Sequence, residues 1–81
     1  MIPARLPAGV RAAHKTGWTG EYYHDVGIIY PPDTGEFVLV VLTRGFQKET
    51  DAHLFIASLA KTIYGHWAIR SQFENKTPTA D

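Results

Sequence analysis

Eighty-one residues, with eight Lys plus Arg against eight Asp plus Glu and 44% hydrophobic content, allow one small domain. The even charge leaves no electrostatic footprint for nucleic acid or an anionic membrane surface. Cysteine is absent, which excludes disulfides and thiolate metal sites, and no apolar run approaches the roughly 20 residues of a membrane-spanning helix.

Residues 1–9 hold Pro3 and Pro7 and end Leu6-Pro7-Ala8-Gly9. Proline has no N–H and biases the residue before it away from helix, so an extended lead-in is expected here. The start has neither the basic beginning nor the apolar stretch of a signal peptide. Residues 10–16 alternate as a first strand, with Arg11, Ala13 and Lys15 on one face and Val10, Ala12, His14 and Thr16 on the other. Charge in so short a strand suggests an edge or a cleft wall. Gly17-Trp18-Thr19-Gly20 reads as the turn that follows.

A second strand is expected over Tyr22–Tyr30, stopped by Pro31-Pro32-Asp33-Thr34-Gly35. The third, Phe37–Thr43, is apolar without alternation until its last residue. Such a strand expects cover on both faces, yet the chain offers one helix. That helix begins near Lys48 and runs to Tyr64 or slightly beyond. Ala52, Phe55, Ile56, Leu59, Ala60, Ile63, Tyr64 and Trp67 form its apolar stripe, Glu49 and Asp51 favour its start, and Gly65 is a candidate stop. The result is an α+β fold: a three-stranded antiparallel sheet with one C-terminal amphipathic helix. Its parts are an extended lead-in (1–9), a packed region (10–70) and a polar tail (71–81).

The chemistry-bearing stretch is His14-Lys15-Thr16-Gly17, at the end of the first strand. Lys-Thr-Gly in that position is the third signature of the penicillin-recognising serine enzymes. Together with Leu6-Pro7-Ala8-Gly9, Trp18-Thr19-Gly20, Tyr23-His24-Asp25-Val26-Gly27-Ile28-Ile29-Tyr30, the apolar third strand and the final helix, it resembles, over about residues 3–68, the C-terminal end of a class A β-lactamase-like serine hydrolase.

The resemblance implies the last strands and helix of an α/β domain, and an acyl-enzyme mechanism in the complete enzyme. It implies that Lys15 brings positive charge to the nucleophile and to the substrate carboxylate, and that Thr16 offers its hydroxyl to that carboxylate. Gly17 would let substrate approach the strand backbone, and the Trp18 N–H would serve the oxyanion hole. The family's S-x-x-K nucleophile, its S-D-N element and its catalytic glutamate have no counterpart upstream of Lys15. No catalytic residue is therefore assigned, and the chain alone is expected to be an inactive fragment.

A β-lactam or related small molecule is the ligand implied for a complete enzyme. A missing N-terminal portion, or self-association, is the partner to look for; no nucleic acid, membrane or cofactor is implied. Two further readings stay open: a non-enzymatic interaction or oligomerising module, and one half of a complementing two-chain enzyme. The family typically works in the periplasm or outside the cell, and the chain shows no signal peptide, so compartment is open.

Other residues read more plainly. Ser58-Leu59-Ala60-Lys61 matches S-x-x-K, but on the polar face of the final helix. His14, His24, His53 and His66 lack metal-ligand spacing. His24 and Asp25 are adjacent on a strand and so face opposite ways, which makes Asp25 structural. Arg44 reads as a solvated strand end.

Overall fold

The structure is a computed structural model that describes the backbone of residues 1–76 and the side chains of residues 1–70. A 3-10 turn over Ile2–Arg5 leads into strands β1 (Arg11–Thr19), β2 (Tyr22–Tyr30) and β3 (Phe37–Arg44), followed by helix α1 (Glu49–Lys76). The strands form one antiparallel sheet in the order β1-β2-β3, as expected from their short connections. No helix among the described residues is long and apolar enough to cross a membrane.

Three local readings change. The lead-in is not extended throughout: Ile2–Arg5 curl into a 3-10 turn, with Pro3 near its start where a missing N–H costs nothing. Leu6-Pro7-Ala8-Gly9 then makes a second turn, in which Gly9 takes φ +87° and the Val10 N–H donates to the Pro7 carbonyl at 3.2 Å. β1 also continues through Gly17 and Trp18 to Thr19. The hairpin needs only Gly20 and Glu21, because Gly20 adopts the positive φ (+56°) that matches the twist of a two-residue loop.

The helix does not stop at Gly65. A single glycine costs about 1 kcal/mol in a helix interior, and Trp67 holds the turn beyond it. The Trp67 indole N–H donates to the Thr34 hydroxyl at 3.0 Å, and its ring packs on Phe37 with centroids 4.6 Å apart. Helix therefore occupies part of the expected polar tail, through Lys76; residues 77–81 lie outside the described residues.

Alternation sorts the sheet cleanly. Tyr23, Asp25, Gly27 and Ile29 of β2 and Phe37, Leu39 and Val41 of β3 face the helix. Ala52, Ile56 and Ala60 of α1 meet them, and Ile2 from the 3-10 turn fills the space that remains, fully buried. Phe55, expected inside, is 47% exposed and rests on Phe46, with ring centroids 5.5 Å apart. The opposite face carries Val26, Ile28, Val38, Val40 and Leu42, all between 38% and 69% exposed. Among the described residues the unalternating third strand thus has cover on one face and none on the other.

Gly27 permits a close approach. A Cβ there would lie 3.2 Å from the Ala13 carbonyl oxygen and from the His14 Cβ, and 3.4 Å from the end of Ile2. Gly27→Val should therefore lower stability by about 1–3 kcal/mol through overpacking, seen as an earlier urea midpoint with an unchanged slope.

Candidate functional site

β1 is an edge strand, and its last five residues are exposed. Helix α1 packs on β2 and β3, and its first turns and the end of β1 border a common space. A cleft of about 540 Å³ opens between them, lined by Met1, Lys15, Thr16, Gly17, Trp18, Glu49 and His53. All four residues singled out in the sequence thus border one space.

Their orientations differ. Thr16 lies opposite Asp25, on the helix-facing side of the sheet, and Lys15 lies opposite Val26, on the other side. The Lys15 ammonium folds back to donate to the Thr16 carbonyl at 2.8 Å. Gly17 has nothing within 4 Å of where a Cβ would be, so the strand is open to approach at that point. Trp18 is 63% exposed and borders both the main cleft and a smaller hollow of about 330 Å³ beside Thr19, Gly20 and Tyr23.

The far wall is one that sequence reasoning missed. Glu49 and His53 sit one helical turn apart, with His53 Nε2 3.5 Å from Glu49 Oε1. The His53 ring meets Tyr23 edge-on at 6.3 Å between centroids. Their i,i+4 spacing is visible in the sequence; their position across from Lys15 and Thr16 is not, because it depends on how the helix crosses the sheet.

The remaining candidates lie elsewhere. The Ser58 hydroxyl accepts from the Arg5 guanidinium at 3.1 Å, Lys61 is exposed, and neither borders the cleft. Arg44 pairs with Glu21 at 3.3 Å and lies over the Tyr22 ring. His24 Nδ1 accepts from the Thr43 N–H at 3.1 Å. Asp25, fully buried, is paired instead with His14.

Lys15, Thr16, Gly17 and Trp18 thus lie on an exposed edge strand beside a cleft. The model of the beta-lactamase enzyme family matches residues 1–67. The chain belongs to the beta-lactamase enzyme family. A beta-lactamase of Bacillus amyloliquefaciens is 38% identical over 64 residues, a stretch that covers 75% of this chain and 21% of the relative. The chain thus corresponds to about a fifth of the length of that family member. No solved structure matches.

Proposed function

We propose that this chain is the substrate-binding C-terminal part of a serine β-lactamase-like hydrolase, with no β-lactam turnover of its own. The observation that carries the reading is the convergence of Lys15, Thr16, Gly17 and Trp18 on one cleft at an open strand edge. A cation and a hydroxyl suit the carboxylate of a β-lactam or a related small molecule. The open strand beside Gly17 leaves room for an amide-like ligand to lie along it, and a backbone N–H at Trp18 suits a developing oxyanion. Among the described residues that line the cleft none is a serine or a cysteine, and its one side-chain hydroxyl, Thr16, is assigned to the substrate carboxylate.

Nitrocefin hydrolysis and labelling by a fluorescent penicillin test this directly. No turnover and no covalent label are expected, together with quenching of Trp18 fluorescence by a ring-opened penicillin that Lys15→Ala weakens. A label that mass spectrometry places on Ser58 would refute the reading.

The bare sheet face favours a second component. Val26, Ile28, Val38, Val40 and Leu42 form a continuous apolar surface, which suits a packing partner. The N-terminal portion of a complete family enzyme, in the same chain or in a complementing one, is the partner we propose for it; self-association through this face is the competing outcome.

A further inference from the structure

The buried carboxylate of Asp25 is left out of the proposed binding role, yet it lies directly opposite Thr16 in the β1–β2 register. It is the buried charge among the described residues. Both of its oxygens are 2.9 Å from His14 Nδ1, and Oδ2 also accepts the Ile2 N–H at 2.8 Å. His14 is two positions from Thr16 on the same face of β1 and immediately precedes Lys15. Ile2 immediately follows Met1, which lines the cleft. A single carboxylate thus joins two walls of the cleft that are otherwise separate in the chain.

We infer that His14 is a positioning residue: by donating its Nδ1–H to Asp25 while Asp25 accepts from Ile2, it locks the entering segment Met1–Arg5 and the strand Lys15–Trp18 into one unit. A carboxylate fixes both the ring orientation and the tautomer of the histidine that donates to it. The His14 ring therefore carries its proton on Nδ1, and β1 is held diagonally across to β2 beside Thr16. Gly27, directly opposite His14, leaves the space through which the Ile2 side chain and the His14 Cβ both pass. With the latch open, the Ile2 N–H loses its acceptor; the Met1 amine keeps its bond to the His53 carbonyl at 3.4 Å, but the hydrogen-bonded tie between the entering segment and the Lys15–Trp18 strand is gone.

Amide and imidazole NMR on the 81-residue chain tests this without any ligand, so its outcome is separate from that of penicillin labelling. In the wild type, two-bond proton–nitrogen correlations should show His14 with its proton on Nδ1. His14→Ala should move the amide resonances of Ile2–Arg5 as well as those of Lys15–Trp18. It should also speed exchange of the Ile2 amide by at least about tenfold, as expected for losing a hydrogen bond to a charged group. His14→Asn, whose amide nitrogen takes the place of Nδ1, should restore both readouts. The inference is overturned by an Nε2–H tautomer in the wild type, by an Ile2 amide indifferent to His14→Ala, or by failure of asparagine to restore it. The tautomer measurement needs no variant, so it decides the matter even if His14→Ala fails to fold.

Discussion

Asp25→Ala is expected to remove most of the stability of this chain. Domains carry about 0.05–0.15 kcal/mol of stability per residue, which for 81 residues is only about 4–12 kcal/mol. Asp25 has no exposed surface and two donors, the Ile2 N–H and the His14 ring. Truncation leaves the Ile2 N–H buried without an acceptor, and removes the hydrogen-bond partner of the His14 ring, whose side chain is 30% exposed and so retains contact with water. A hydrogen bond to a charged group contributes about 1.5–3 kcal/mol and a buried donor left unsatisfied costs about 1–3 kcal/mol, so about 3 kcal/mol is the expected figure. Ile2 would then leave the core, and its burial would go with it. Urea unfolding followed by far-UV circular dichroism should show a midpoint lowered by more than half, or no folded baseline at all. Asp25→Asn keeps an acceptor for Ile2 and should lose distinctly less. A loss below about 1 kcal/mol for the alanine variant would mean that water has replaced the carboxylate.

The residues in that network show where sequence reasoning stops. Period-two alternation correctly placed His24 and Asp25 on opposite faces, and the apolar run of β3 signalled a sheet with two sides to cover. Helical spacing identified Ala52, Ile56 and Ala60 as the inner stripe of α1. Partners across the sheet were not legible, because they depend on the hairpin. With Gly17–Gly20 taken as a four-residue turn, His14 falls opposite Tyr23 and Ala12 opposite Asp25, so every cross-strand neighbour is misassigned, Thr16 and Asp25 among them. With Gly20 and Glu21 as the loop, Thr19 falls opposite Tyr22, and counting back places Thr16 opposite Asp25 with His14 two positions further along. The burial of Ile2 was hidden for a different reason. One isoleucine between a methionine and a proline has no periodicity, and only a tertiary gap above Gly27 draws it in. The Glu49–His53 wall is a consequence of how a 28-residue helix lies across strands of eight and nine residues, which no local pattern encodes.

Mixing the chain with the portion of the Bacillus amyloliquefaciens relative that precedes its matching segment is expected to produce nitrocefin turnover that neither piece has alone. The driving surface is the bare face of the sheet. Fully burying an aliphatic side chain contributes about 1.5–3 kcal/mol, so five residues that are roughly half exposed, Val26, Ile28, Val38, Val40 and Leu42, supply about 5 kcal/mol. Bringing two molecules together costs about 4–15 kcal/mol. This face alone therefore barely sustains a two-chain complex, and the unpaired edge of β3 must contribute backbone hydrogen bonds as well. Turnover should accordingly depend on concentration and appear only in the range of tens of micromolar or above. Val40→Lys with Leu42→Lys should abolish it, because two charges cannot be buried unpaired. Lys15→Ala should leave association intact and lower kcat/KM by about 10–100-fold, the worth of one hydrogen bond to a charged group. Those two variants separate the roles of the two surfaces: the lysine pair blocks co-purification, whereas Lys15→Ala does not. If the wild-type mixture stays silent while the chain alone forms a dimer that the same lysine pair dissolves, the bare face belongs to a second copy, and the chain is an oligomerising module.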